Sequence, residues 1–100
     1  MARMSPPRIL RVALDTPVRR LFDYLAPPAG PLGEAEPGRR VAVPFGRRRL
    51  VGVIVAIETR SELPVDRLRQ AHELLDARPV FDAALLRLLR WAAEYYHHPL

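Results

Sequence analysis

The chain has no cysteine, no lysine and no asparagine. The first absence rules out a disulfide framework and any thiolate metal site. The second leaves all sixteen basic residues as arginine; a GC-rich coding bias explains that choice of side chain but not where the charges fall. Long apolar runs are also missing. The longest, LVGVIVAI, is strand-sized and far short of the ~18 residues that span a bilayer. The N-terminal MARMSPPRILRVAL carries basic residues but neither a clean apolar region nor a small-residue cleavage site. It is not read as an export signal, so a cytoplasmic location with no membrane partner is expected.

Catalytic signatures are absent too. There is no P-loop string, no nucleophile elbow and no dinucleotide-type glycine pattern. His72, His97 and His98 lack a carboxylate or cysteine at a spacing that would complete a metal site, and adjacent residues 97 and 98 point in different directions on a helix. They read as solvated residues near a helix end. The segment is expected to be neither an enzyme nor the holder of a metal or cofactor.

What is present is charge, unevenly placed. Residues 1 to 60 hold eleven arginines against five acids, a net of +6, whereas residues 61 to 100 hold five arginines against six acids, a net of −1. A positive field concentrated in one part of a small protein favours a polyanionic partner such as nucleic acid. One hundred residues, 49% of them apolar, make one globular domain, 1–100. Its core can bury somewhat over ~60% of the unfolded chain's surface.

The periodicities predict a mainly β protein. Ile9 to Leu14 alternates as a strand, Pro17 ends or bends it, and Leu21 to Leu25 is a second strand closed by Pro27 and Pro28. Ala26 to Gly38 is a proline- and glycine-rich surface loop. RRVAVPF and RLVGVIVAIET read as a hairpin turning at GRR, with Gly46 able to take a positive φ. Pro44, lacking an amide hydrogen, places its strand at an edge or at its end. SELPVDRL reads as a turn with a short helical turn, and QAHELLD fits helix or strand equally. Asp82 is a candidate N-cap for a helix reaching Tyr95 or Tyr96, with Leu85, Leu88, Leu89 and Ala92 as its buried stripe, Arg87, Arg90 and Glu94 on its wet side, and Pro99 beyond its end. The expected fold is α+β, mainly β: a small curled antiparallel sheet, a half-barrel, closed by a C-terminal helix.

Two stretches carry candidate chemistry. Arg47, Arg48 and Arg49 form a basic hairpin tip, which is either simply solvated or, because adjacent guanidiniums repel, a seat for phosphates; Arg19 and Arg20 add to the same field. Next to them lies Phe22-Asp23-Tyr24. On a strand the two rings share one face and Asp23 points to the other. Either both rings are core and the carboxylate is solvated, or an aromatic surface stacks an unpaired base, worth ~1–3 kcal/mol, while Asp23 accepts from a base amino group, a ring N–H or a sugar hydroxyl. A carboxylate accepts and does not donate, so it suits a base edge or a hydroxyl and rejects phosphate. A free strand end, with an open hydroxyl and an unstacked base, meets both conditions.

The strings LFDYLAP, RVAVPFG, VGVIVAI, SELP, LLDARPVF and LLRWAAEYYHHPL, in this order and at these intervals, resemble the N-terminal region of the primosomal protein N′ (PriA) family of replication-restart DNA helicases. The resemblance covers residues 8 to 100, and FDY followed by VPFG and YYHHP is its specific combination. It implies a 3′ DNA-binding domain that recognises the 3′ end of the nascent leading strand at a stalled fork and so targets a helicase for primosome assembly. By resemblance, Asp23 contacts the terminal base without strong sequence preference, flanked by Phe22 and Tyr24, and Gly46 presents backbone to the terminal nucleotide with no side chain in the way. Arg69 stands where the family usually has lysine, keeping the charge but replacing a compact ammonium with a planar fork. Forked or single-stranded DNA 3′ ends, the helicase core of the same protein and primosome proteins, in the nucleoid region of the bacterial cytoplasm, are the implied partners. The full-length family protein is an ATP-dependent 3′–5′ DNA helicase, and its ATP, magnesium and zinc sites are implied to lie outside these residues. The resemblance also turns QAHELLD into a strand. The alternative reading is a β-barrel docking module whose arginine-rich face meets an acidic protein; an RNA-binding barrel would require a preference for ribose.

Overall fold

β-Branched and aliphatic residues at every second position pair into a five-stranded antiparallel sheet in the computed structural model, which describes residues 8–16 and 20–97. The strands are β1 (Ile9–Leu14), β2 (Leu21–Leu25), β3 (Arg40–Phe45), β4 (Arg48–Glu58) and β5 (Glu73–Leu74), in the order β2-β1-β4-β3-β5. A 3-10 turn spans Val65–Arg67, and α1 (Ala83–His97) follows the sheet. The mainly β, α+β expectation holds, and QAHELLD contributes β5. Pro17, Arg19, His98 and Pro99 lie outside the described residues, as does the side chain of Glu94.

The concave face carries Leu10 and Val12 of β1, Tyr24 of β2, Val41 and Val43 of β3 and Ile54 of β4, with Ala71 and Leu74 beside them. Alternation alone does not hold along β4. Arg11 faces Ala56 but Val12 faces Ile54, so one extra residue is inserted at Val55. Such a bulge bends a strand and raises its local twist, and it hands the inner face from Ile54 to Ile57. Gly52 lies under Val12 and Leu14, where a Cβ would come within 2.5 Å of both side chains. The sheet curls tightly there because nothing projects from Gly52.

Curling brings the two outer strands toward each other. The segment leading into β5 is bonded to both: Leu25 N–H donates to Arg69 O and Ala71 N–H to Leu25 O, each at 2.9 Å, and then His72 N–H donates to Ala42 O at 2.8 Å. The sheet thus stays open while one short parallel bridge, Leu25 to Gln70, laces its edges. Pro44 fits this arrangement. Arg40 O and Ala42 O accept from Leu75 and His72 on the β5 side of β3, so the missing amide hydrogen of Pro44 faces the same side, past the point where β5 ends. Its carbonyl is met there by the Tyr24 hydroxyl, which donates at 2.8 Å.

Two arginines organise the remaining chain. The buried Arg39 reaches into the proline-rich loop, where Nη1 donates to Leu32 O at 2.8 Å and Glu34 O at 3.0 Å, and Nη2 pairs with Glu36 at 2.6 Å. Arg40 holds the segment after β5 through a bidentate pair with Asp76, at 3.0 and 2.9 Å, reinforced by its own backbone N–H at 2.9 Å. These hydrogen bonds from Arg40 depress the Asp76 pKa below its ordinary value of 3.8. A carboxyl with a depressed folded-state pKa stabilises the fold above its unfolded value, and that contribution disappears as pH falls through the lower one. Asp76→Asn should therefore lower the thermal midpoint at pH 7 yet leave the variant and parent converging in acid, as pH falls through the depressed carboxyl pKa; parallel curves at all pH values would contradict this role.

Asp82 caps α1 as expected, accepting from Leu85 N–H at 2.8 Å. The buried stripe does not fall where periodicity put it. Leu86 is the buried leucine, Leu85, Leu89 and Ala92 are half-buried, and Leu88 is 56% exposed. With leucine at 85, 86, 88 and 89 the helix offers apolar surface over a wide arc, and it packs chiefly on β4. That seat, anchored by Val80 N–H and Phe81 N–H on Gly38 O, selects Leu86. Arg87 and Arg90 are exposed, as expected.

Candidate nucleic-acid interface

At the end of the half-barrel where β2 starts and β3 finishes, the laced edges splay apart. The loop from Ser61 to Arg69 lies alongside, and α1 contributes Ala93. The result is a cavity of about 680 Å³ whose walls include Phe22, Asp23, Tyr24, Gly46 and Arg69. All five residues proposed from sequence as the end-binding group thus line one space. Arg20 joins them, its guanidinium 4.8 Å from the centroid of the Phe22 ring.

The two rings of the FDY stretch have different duties. Tyr24 is buried in the core; burial pushes its phenol pKa up, with the nearby charge of Arg69 opposing, so the hydroxyl remains a donor to Pro44. Phe22 is half-buried and meets Phe45 edge to face, with centroids 5.2 Å apart and planes at 86°. Its face is the one aimed at Arg20. Asp23 points to the opposite side of β2, as alternation requires, yet it still borders the cavity because β2 is an edge strand.

Asp23 is 14% exposed at its side chain and is held at both oxygens. Arg11, its cross-strand neighbour in the β1–β2 pairing, donates from Nε to Oδ1 at 3.1 Å, and Ser61 Oγ donates to Oδ2 at 2.6 Å. Arg11 Nη1 also stands 3.5 Å from Glu58. The hydrogen bond to Asp23, more than its charge or that of Glu58 and Glu62, raises the Arg11 pKa against the cost of burial. Arg11 is therefore a permanent cation beside the carboxylate. On the far wall, Arg69 Nη1 donates to Gly46 O at 2.9 Å. Gly46 occupies the tip of the β3–β4 hairpin with φ +60°, and nothing stands within 4 Å of where its Cβ would be. The Gly46 backbone is thus open at its Cα, while its carbonyl is taken by Arg69.

The remaining arginines divide. Arg47 and Arg48 are exposed on the hairpin but do not line the cavity, and Arg49 is engaged with Glu73 at 2.7 Å. Arg67, on the 3-10 turn, is exposed and does line it. The site therefore offers an acceptor held between two donors, an apolar ring, a glycine open at its Cα and cations from Arg20, Arg67 and Arg69. A ligand with hydrogen-bond donors at its tip and negative charge behind it matches that order. Among the described residues no group of three histidine, cysteine, aspartate or glutamate side chains is placed to hold a metal ion. No helix among them is long and apolar enough to cross a membrane.

Residues 11–100 match the family described as the 3′ DNA-binding domain (3′BD) of PriA. The chain belongs to this 3′ DNA-binding domain family. It is 40% identical over 89 residues to the replication restart protein PriA of Haemophilus influenzae, covering 89% of this chain and 12% of that protein. It is 33% identical over 91 residues to the PriA of Treponema pallidum, covering 87% and 14%, and 34% identical over 77 residues to that of Bacillus subtilis, covering 77% and 9%. The chain thus spans roughly one-eighth of the length of the curated relatives it matches first. A 3′ DNA-binding domain with a net charge of +5 is consistent with the partner class that the charge asymmetry favours.

Arg11, Ser61 and Arg67 are cavity residues that reading the sequence missed. Arg11 becomes visible only through the register that sets it opposite Asp23, and the six residues between β1 and β2 leave that register open. Ser61 belongs to the SELP string but approaches Asp23 from 38 residues away.

Proposed function

We propose that this chain captures the 3′ end of the nascent leading strand at a stalled replication fork and, as one domain of a longer ATP-dependent helicase, directs that helicase to the fork for primosome assembly. The observation that carries the reading is the convergence of Asp23, Gly46 and Arg69 on one cavity with Phe22 as its ring wall. Asp23 accepts from the terminal hydroxyl or base edge. Gly46 admits the terminal nucleotide close to backbone, and Arg69 holds its charge. Arg20 and Arg19, with the hairpin arginines 47 and 48, track the phosphates behind it, while Arg49, the third arginine of the tip, is held by Glu73. The helicase core and primosome proteins are its partners at the nucleoid. Phosphate contacts provide affinity, and the acceptor provides the choice of end.

The two roles are separable by experiment. Replacing Arg47, Arg48 and Arg49 with glutamine should weaken binding to single-stranded and forked DNA alike. For a single strand, every phosphate that is no longer neutralised flattens the log–log salt dependence by ~0.7. Because Arg49 is paired with Glu73, the triple variant is expected to leave two phosphates unneutralised and thus to flatten the slope by about 1.4. Titrations monitored by fluorescence anisotropy from 50 to 300 mM salt, roughly the range in which such interactions fade, measure this. An unchanged slope would remove the hairpin from the phosphate path. A protein-docking module would instead bind an acidic protein and be indifferent to oligonucleotides with open or blocked 3′ ends.

A further inference from the structure

The carboxylate of Asp23 does not stand alone. Leu63 N–H donates to Ser61 Oγ at 3.2 Å, Ser61 Oγ–H donates to Asp23 Oδ2 at 2.6 Å, and Arg11 Nε donates to Asp23 Oδ1 at 3.1 Å. Each oxygen of the carboxylate thereby has one protein donor and retains acceptor capacity, since an ionised carboxylate offers about four lone-pair sites. The two donors come from different elements, β1 and the loop beyond β4, so together they prevent the carboxylate from rotating on its strand. The Arg11 cation also offsets a negative charge that would otherwise repel an incoming polyanion, and Glu58 holds that guanidinium from its other end at 3.5 Å.

Resting on the end-capture reading above, we propose that Ser61 and Arg11 are positioning residues that fix Asp23 as an acceptor for a hydroxyl- or amino-bearing strand terminus and thereby set its discrimination against a terminal phosphate. A freely rotating carboxylate would still repel phosphate but would meet a terminal hydroxyl in fewer of its orientations. Ser61 supplies the rotational lock, and Arg11 supplies the lock and the compensating charge. Serine and arginine are both needed because an arginine on Oδ1 alone leaves Oδ2 free to swing into the cavity.

The test uses the whole 100-residue chain and two labelled forks that are identical except for a 3′-hydroxyl or a 3′-phosphate on the nascent strand. The quantity read is the ratio of the two Kd values, because a merely structural defect would weaken both alike. Ser61→Ala should reduce the parent's ratio roughly fivefold, the scale of one modest hydrogen bond. Ser61→Thr, which keeps the hydroxyl, should restore most of it, and Arg11→Lys, which keeps the charge but not the planar Nε donor, should fall between. If the parent discriminates and Ser61→Ala discriminates equally well, the positioning role is wrong while end capture stands. If the parent itself shows no preference, end capture fails and takes this inference with it.

Discussion

Asp23→Ala is expected to bind a 3′-hydroxyl fork and a 3′-phosphate fork with the same affinity, erasing a preference of roughly tenfold to a hundredfold. That range follows from the ~1.5–3 kcal/mol net value of a hydrogen bond to a charged group, at a factor of ten for each ~1.4 kcal/mol. The direction for each ligand is informative. Removal of the carboxylate leaves Arg11 with Glu58 as its remaining partner, so the field at the cavity becomes more positive. Affinity for the phosphate end should therefore hold or rise while affinity for the hydroxyl end falls. General unfolding would lower both, which makes the pair of measurements its own control. Parallel losses for the two ends would show that Asp23 serves the fold and not the choice of end.

The second large effect is on stability. Gly52→Val should destabilise the chain by about 3 kcal/mol, at the upper end of what overpacking costs. In a domain of this size that corresponds to a thermal midpoint on the order of 10–20 °C lower. The added Cβ alone would sit 2.5 Å from Val12 Cγ1 and Leu14 Cδ2 and 2.7 Å from Ala13 O. The leucine tip can rotate away, but the Val12 branch is stiff and the Ala13 carbonyl is backbone. β1 would have to lift from β4, and these two strands lie inside the sheet, each with a neighbour on both sides. Thermal unfolding of Gly52→Ala and Gly52→Val should show a graded loss, valine worse than alanine. A valine variant as stable as the parent would mean that the curl does not depend on this close approach.

The parts of the fold legible from sequence are those with local causes. Strands β1 and β2 follow from short alternating runs and the prolines that close them, β3 and β4 from valine-rich runs that meet at Gly46, and the start of α1 follows from Asp82. The parts that were not legible depend on relations between distant residues. The bulge at Val55 reverses the inward parity within an unbroken apolar run, VGVIVAI, in which no residue marks the reversal. α1 has leucines on several sides, and only its seat on β4 selects Leu86 over Leu88. β5 is two residues long and exists because β3 has bonding groups to receive it.

The candidate site divides in the same way. Asp23 and Gly46 were nameable because FDY and VPFG are distinctive strings, Arg69 because the resemblance places a basic residue a few positions after SELP, and Phe22 because its ring flanks the carboxylate. Tyr24, equally prominent in the string, spends its ring on the core and its hydroxyl on Pro44. Arg11 and Ser61 could not be read ahead of the fold, since neither is near Asp23 in sequence and each acts by reaching it across a strand or a loop. Arg49 looked identical to Arg47 and Arg48, and only the position of Glu73 on β5 distinguishes it.

The most direct measurement is made on the unaltered chain: its Kd for a fork whose nascent strand ends in a 3′-hydroxyl, set against its Kd for the same fork ending in a 3′-phosphate, at one salt concentration. The cavity described above predicts tighter binding of the hydroxyl end by about tenfold or more. Equal affinities, or a preference for the phosphate, would contradict the assignment of Asp23 as the group that meets the strand's tip.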